Sequence, residues 1–362
     1  MTEADQKTIL GIDTSCDDTS VAITRGVRVL ANVISSQDEL HGKWGGVVPD
    51  IARQAHRERI DGVINEAFLR AGRFAPGIGW DDIDAIAVTY GPGLAISLEV
   101  GIQKAEELAK RHSKPLLAVN HMEGHLLSAL AANSSGRAPV AIQKHDFPVM
   151  GLLISGGHSD IVLMDGFGKY RLIAEKMDDA VGEAYDKVAR MLGFGYPGGR
   201  VLTEMAKEGN PDGFDLPRPL YRDERLAFSF SGLKTAVFYT LKTLTEEQGE
   251  LTRKQIVDMA ASFEHAAIRH LQDKLDQALD RHPVTKILLG GGVAASPRVR
   301  AGLRRTAAEH GAQIFYPDSK KLYMDNAAMI CVAGYYKLLR GETVKTLPDR
   351  APRLALGDND GE

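Results

Sequence analysis

Two histidines four residues apart, His121 and His125 in Asn120-His121-Met122-Glu123-Gly124-His125, are answered far downstream by Asp325 in Met324-Asp325-Asn326. If residues 121–130 form a helix, both imidazoles lie on one face about a turn apart, where their neutral nitrogens can grip one divalent ion. The Asp325 carboxylate would complete a three-ligand site with open positions. Taken alone, a His pair at this spacing is more often a solvated helix face. The arrangement also differs from the H-E-x-x-H motif of metallopeptidases. Glu123 falls about 200° round a helix from His121, away from any shared ion, where it cannot easily activate a metal-bound water. An ion here is expected to bind and orient a substrate rather than to cut a peptide.

Four further segments have the chemistry of nucleotide contacts. Thr8-Ile9-Leu10-Gly11-Ile12-Asp13-Thr14-Ser15 turns back into Ser20-Val21-Ala22-Ile23, and Val149–Ser159, with Ser155-Gly156-Gly157-His158 inside it, turns back into Ile161-Val162-Leu163-Met164. Both read as strand, polar or Gly-rich turn, strand. Such tips offer hydroxyls and backbone N–H groups to phosphate, and Gly156-Gly157 lack the Cβ that would hold a phosphate off. Two of them form a weak internal repeat, as a duplicated nucleotide-binding fold would, although either alone reads equally as an ordinary hairpin. Leu288-Leu289-Gly290-Gly291-Gly292-Val293-Ala294-Ala295-Ser296-Pro297 passes from a strand into a helix, where bare backbone can take a flat ring and Pro297 suits the first helical position. Asp178-Asp179, Glu183 and Asp186 precede Gly195-Tyr196-Pro197-Gly198-Gly199; these carboxylates either hold ribose hydroxyls or serve an acidic helix start. No G-x-x-x-x-G-K-[ST] loop and no G-x-G-x-x-G fingerprint in a βαβ unit occurs, which disfavours P-loop and Rossmann chemistry.

These residues are carried by an alternation of short β-branched runs and longer helical patterns, so the chain reads as α/β. Strands are expected at 8–13, 21–24, 83–89, 116–120, 149–155, 161–164, 287–289 and 314–316, and helices at about 49–72, 94–112, 121–132, 179–193, 231–244, 253–281, 297–310 and 325–340. The expected organisation is a first domain over 1–145, onto which the last helix can pack back, and a second over 146–345. An irregular Pro- and Arg-rich insertion interrupts the second at about 209–230, and a disordered tail is expected at 346–362.

Composition excludes several classes. The 362 residues carry 44% apolar and 25% charged side chains, enough for two cores, with no apolar run of membrane-spanning length. The acidic opening Met1-Thr2-Glu3-Ala4-Asp5 is neither a signal nor a transit peptide, so a cytoplasmic location with no membrane partner is expected. Cys16 and Cys331 cannot make a disulfide framework. A net charge of -4 argues against gripping nucleic acid with the whole surface, and the basic clusters at 53–59 and 298–305 allow only a patchy or shared contact.

In order, the motifs G-I-D-T-S-C-D-D-T-S, Gly-Pro-Gly-Leu at 91–94, N-H-x-E-G-H, I-S-G-G-H-S, G-E-A-Y-D-K, Y-P-G-G, F-S-F-S-G-L-K-T, G-G-G-V-A-A-S and M-D-N-A-A-M-I closely resemble the tRNA adenosine threonylcarbamoyltransferase family of the bacterial TsaD kind, once described as a glycoprotease. They span about residues 8–340. The resemblance implies an actin-like, sugar-kinase-like ATPase fold of two related α/β domains with a nucleotide cleft. It implies transfer of the threonylcarbamoyl group from threonylcarbamoyl-AMP to the exocyclic amine of the adenosine 3′ of the anticodon, in tRNAs reading codons that begin with A. It further implies one divalent ion on His121, His125 and Asp325, with Fe2+ favoured over Zn2+ or Mg2+. By the same match Leu153, Ile154, Ser155, Gly156 and Gly157 line the phosphate and threonylcarbamoyl side, Asp186 and Gly199 hold the nucleoside, Ser296 meets the adenine side, and Asp17 handles the proton or aligns the substrate. The partners implied are tRNA, a related inactive actin-like pairing protein and a small P-loop ATPase. Two positions depart from the family: Ser296 stands where Asn is usual, and Ala95-Ile96-Ser97-Leu98-Glu99 replaces a run of small residues. The rival readings are a metal-dependent glycoprotein peptidase and a kinase-like ATP-binding protein.

Overall fold

The computed structural model describes residues 6–195, 197–221 and 223–357. Two compact units divide the chain: one holds the residues up to Phe147, Met164–Arg171 and those from Phe315 onward, the other Pro148–Leu163 and Leu172–Ile314.

The first unit is built on a five-stranded sheet in the order β3-β2-β1-β4-β5, from β1 (Thr8–Asp13), β2 (Asp18–Arg25), β3 (Arg28–Ser36), β4 (Ala85–Gly91) and β5 (Leu116–Asn120). β1 pairs antiparallel with β2 and parallel with β4, and β4 runs parallel to β5. Every residue of β1 and β4 is buried, because helices cover both faces of the sheet. Leu10, Ile12, Val21 and Ile23 pack with Ile60, Val63 and Ile64 of α2 (Pro49–Ala71) and with Ala105 and Leu108 of α3 (Ala95–His112); the short α1 (Asp38–Gly42) precedes α2. On the other face a Cβ on Gly11 would sit 2.6 Å from Cys331 Sγ and 2.7 Å from Ala327 O, so only glycine allows α10 (Ala327–Leu339) to lie this close. α4 (His121–Leu127) follows β5 directly and gives way to a 3₁₀ turn at Ser128–Leu130, ending the helix expected to reach 132.

The second sheet has the order β10-β9-β6-β7-β8, from β6 (Val149–Ile154), β7 (Ser159–Gly166), β8 (Lys169–Ala174), β9 (Lys286–Gly290) and β10 (Gln313–Phe315). Read from β8, it repeats the first sheet strand for strand: three consecutive strands, then two reached by crossover. Its helices are α5 (Val181–Met191), α6 (Gly199–Met205), α7 (Ser231–Gln248), α8 (Arg253–Arg281) and α9 (Pro297–Glu309). Residues 209–230 contain no helix or strand among those described, yet they are pinned from below. The fully buried Lys274 of α8 donates to the carbonyls of Leu220, Asp223 and Arg225, and Asp258 accepts from Asn210 N.

The expectation of a disordered tail from 346 is corrected for residues 346–357. Leu347 joins the first unit's core, Leu356 is buried, Ala351 N donates to Tyr90 O, and Gly93 N donates to Pro352 O. Apolar anchors spaced along a polar stretch hold it down. The remainder of that call, 358–362, lies outside the described residues.

Candidate functional site

β5 ends in Asn120, whose side-chain oxygen accepts from Met122 N at 2.8 Å and Glu123 N at 3.4 Å and so caps α4. The cap makes His121 the first helical residue and sets His125 one turn on. Asp325 stands just before α10, where Asn326 caps by accepting from Met329 N and Ala327 N donates to Ser20 Oγ of β2 at 2.9 Å. Two helix N-termini anchored to one sheet therefore fix the three side chains.

His121 Nε2 lies 3.4 Å and His125 Nε2 3.1 Å from the same oxygen, Asp325 Oδ1, with the rings edge to face. One ligand atom from each residue falls within 4.8 Å of the others, a spacing one ion can bridge. Both imidazoles are buried, and neither Nδ1 has a hydrogen-bond partner among the described residues, although Asp13 Oδ2 stands 3.5 Å from that of His121. Burial alone would lower the His121 pKa, but Asp325 and Asp13 outweigh it and lift it to about 10. Burial pushes His125 down against its bond to Asp325, and burial of Asp325 is overcome by the two imidazoles, which hold it well below the usual carboxylate range. The pocket is thus poised for a positive charge, and its donors, two imidazoles and a carboxylate, suit a divalent metal.

The tip between β1 and β2 brings more carboxylates to this end of the unit. Burial first, then the charge of Asp325, raises Asp18 to about 7, and burial raises Asp17. Asp17 is therefore near the acidic cluster but is not among its ligands. Asp13 is the residue that sequence reasoning missed. Its strand reads as uniform core, and only the fold sets it against His121. Glu123 is buried and accepts from Tyr170 Oη at 2.8 Å, with Arg340 Nη2 at 3.8 Å, so it serves this internal network instead of a metal.

In the second unit β6 ends in Leu153 and Ile154, both fully buried, and the β6–β7 tip carries Ser155, Gly156 and Gly157. Ser155 N donates to His158 O and His158 N to Ser155 Oγ, closing the turn. The start of α5 seats on it: Gly182 N donates to Ser155 O, and Glu183 N donates to Gly156 O. No atom lies within 4 Å of the Cβ position on Gly156 or Gly157, which leaves their outer side open. Asp186 and Gly199 are brought together, since Asp186 Oδ1 accepts from Gly199 N at 2.7 Å and Gly198 N at 3.1 Å. Ser296 caps α9 through a long 3.5 Å bond from Val299 N, and Arg300 clamps the glycine-rich turn by donating to Ala294 O and Ala295 O. Asp178 and Asp179, read as possible ribose ligands, are engaged within the fold: Asp178 accepts from Phe230 N and Ser229 Oγ at the start of α7, and Asp179 pairs with Lys234 and Lys187.

The family model for TsaD, tRNA N6-adenosine threonylcarbamoyltransferase, matches residues 28–332. The chain belongs to this family. It is 42% identical over 355 residues to the tRNA N6-adenosine threonylcarbamoyltransferase of Clostridium perfringens (strain ATCC 13124), covering 98% of this chain and 99% of that one. It is 44% identical over 336 residues to that of Anaeromyxobacter sp. (strain Fw109-5), covering 92% and 95%. The fold is also similar to full-length HypF in its phosphate- and nucleotide-bound form, with TM-score 0.56 and 13% identity over 92% of this chain and 56% of that one. The two α/β units have the actin-like ATPase fold, and the protein is a tRNA N6-adenosine threonylcarbamoyltransferase, an enzyme of tRNA modification. The peptidase reading falls with the engagement of Glu123 by Tyr170. No helix among the described residues is long and apolar enough to cross a membrane.

Proposed function

We propose that this transferase takes its acyl group from threonylcarbamoyl-AMP and delivers it to the adenosine 3′ of the anticodon in tRNAs reading codons that begin with A. The observation that carries the reading is the convergence of His121, His125 and Asp325 in a chain of this family. The donor is a mixed anhydride and already activated. The adenosine N6 forms a bond to the carbamoyl carbon, the bond from that carbon to the phosphate oxygen breaks with its electron pair leaving on AMP, and N6 gives up one proton. A weak, ring-delocalised amine makes alignment the main task.

The open edge at Gly156-Gly157, with Leu153, Ile154 and Ser155, seats the phosphate and threonylcarbamoyl side; Asp186 and Gly199 meet the nucleoside, and Ser296 faces the adenine side. Asp17 takes the proton or aligns the amine, helped by a raised pKa that lets its carboxylate accept one. A divalent ion on His121, His125 and Asp325 would supply a clamp and a Lewis acid for a polarised carbonyl. The family resemblance favours Fe2+; two imidazoles and one carboxylate suit Zn2+ as well, with Mg2+ a further alternative. A related inactive actin-like protein and a small P-loop ATPase complete the assembly, which works in the cytoplasm. The test is mass spectrometry of tRNA nucleosides from cells depleted of this protein and complemented with the parent or the His121→Ala chain. Loss of the modified nucleoside on depletion, restored by the parent only, is expected; restoration by His121→Ala would reject the metal assignment.

A further inference from the structure

Residues 37–48 join β3 to α2 and carry Trp44, which at 68% exposed is the most exposed of the large apolar side chains described. Its loop is rigidly seated. His41 is fully buried; its Nε2 lies 3.0 Å from Gln37 Oε1, and its Nδ1 accepts from Val48 N at 3.3 Å, while Trp44 N donates to His41 O. Gln37 in turn contacts His56, whose Nε2 donates to Cys16 O at 3.0 Å and whose Nδ1 accepts from Thr19 Oγ1 at 2.8 Å. This chain of bonds runs from the Trp44 backbone to the β1–β2 tip. The charge of Asp38 is felt by Asp17 and Asp18, as is that of Asp325, so the loop stands at the end of the first unit that holds the histidine pair.

The surroundings of the ring favour one kind of occupant. Gly45, at φ +67°, and Gly46 have no atom within 4 Å of their Cβ positions, so the space beside the indole is open to a flat group. Between 38 and 59, Lys43, Arg53, Arg57 and Arg59 are matched by Asp38, Glu39, Asp50 and Glu58, which leaves no net charge to track phosphates. Leu40, 39% exposed, is the other exposed apolar side chain in the loop, which is too little for an apolar protein-docking patch. A lone aromatic ring with an open flank, carried on a firmly held backbone, is how single-stranded loop bases are captured, by stacking.

We propose that Trp44 is a stacking platform for an unpaired base of the tRNA loop that presents the target adenosine, and so a positioning residue for the known reaction. This rests on the reading that the adenosine reacts at the metal-bearing end of the first unit. The chain has two tryptophans, and Trp80 is stacked on His112 at 3.9 Å. A W80F chain labelled with 5-fluorotryptophan therefore reports Trp44 alone by 19F resonance, within the unlabelled transfer-competent assembly. Adding an anticodon stem-loop RNA should shift that single resonance, and the shift should survive H125A even where transfer is lost. W44A should raise KM for tRNA at least fivefold, with kcat and melting temperature little changed, and W44F should restore most of the affinity while W44L does not. A resonance unmoved by saturating RNA would overturn the proposal. So would equal rescue by W44L, or loss of the protein assembly by W44A before RNA is added, which would mark a protein-docking residue.

Discussion

His125 Nε2, on a buried ring, lies 3.1 Å from Oδ1 of the half-buried Asp325, so removing that imidazole leaves the carboxylate facing His121 alone. His125→Ala is expected to bring metal stoichiometry close to zero and to abolish transfer while the protein stays folded; full metal content in the variant would exclude the site. Ser296 tests the adenine side. Asn caps a helix as well as Ser does, so Ser296→Asn should leave stability within about 0.5 kcal/mol. Its longer side chain, with both donor and acceptor, should add a direct hydrogen bond worth about 0.5–1.5 kcal/mol to bound adenylate. Calorimetry showing weaker binding would mean the pocket is shaped around Ser. A third residue carries a pH signature: burial, then the charge of Glu175, raises Asp160 to about 7. The folded state thus holds a proton that the unfolded state has lost, and stability should fall as pH rises from about 4 to 7. Asp160→Asn should flatten that fall and be the more stable protein at pH 8, by roughly 1–2 kcal/mol; urea midpoints across this range would check it. The His pair and Asp325 were legible because their spacing is itself a chemical statement. Asp13 was not, since nothing local distinguishes an acid ending a strand from a cap or turn residue.

At the level of elements, the β6–β7 tip and the first turn of α5 behave as one unit, and two glycines in it have opposite duties. A Cβ on Gly182 would lie 2.5 Å from Ser155 O, whereas one on Gly157 would meet nothing within 4 Å. Gly157→Val should therefore keep its melting temperature and lose adenylate binding at least tenfold, while Gly182→Ala should lose about 1–3 kcal/mol of stability as tip and helix separate. Equal thermal losses in the two variants would refute this division. Helices α2, α3 and α8 were legible from long apolar periodicity. Strands β3 and β8 were not: β3 is an edge strand bearing Arg28, Asn32 and two serines, and β8, Lys-Tyr-Arg-Leu-Ile-Ala, buries only Ala174. Pairing with a neighbour, which no local pattern encodes, makes them strands. The same holds for α6, a single short helix whose start is held by Asp186.

For the molecule as a whole, the stretch after α10 is a strap across the first unit. Asn120, which caps α4, donates to Ala355 O, and Arg350 pairs at 3.3 Å with Glu99 of α3. Deleting residues 346–362 exposes the contacts of Leu347 and Leu356 and should cost at least about 3 kcal/mol; it should also weaken metal binding, because the cap of α4 loses a tether. Unchanged urea denaturation after truncation would show the strap to be ornamental. The discontinuity of this unit also has a consequence in time. Its histidines are separated from Asp325 by 200 residues of chain, most of them belonging to the other unit. At about 5–20 residues per second of synthesis, the imidazoles wait roughly 10–40 seconds on the ribosome for their carboxylate. The second unit, meanwhile, has all its strands, β10 included, in hand before α10 exists. Completion of the three-residue cluster is therefore a late event in the life of the nascent chain, and a newborn protein must pass through an interval in which its histidine pair stands without its carboxylate.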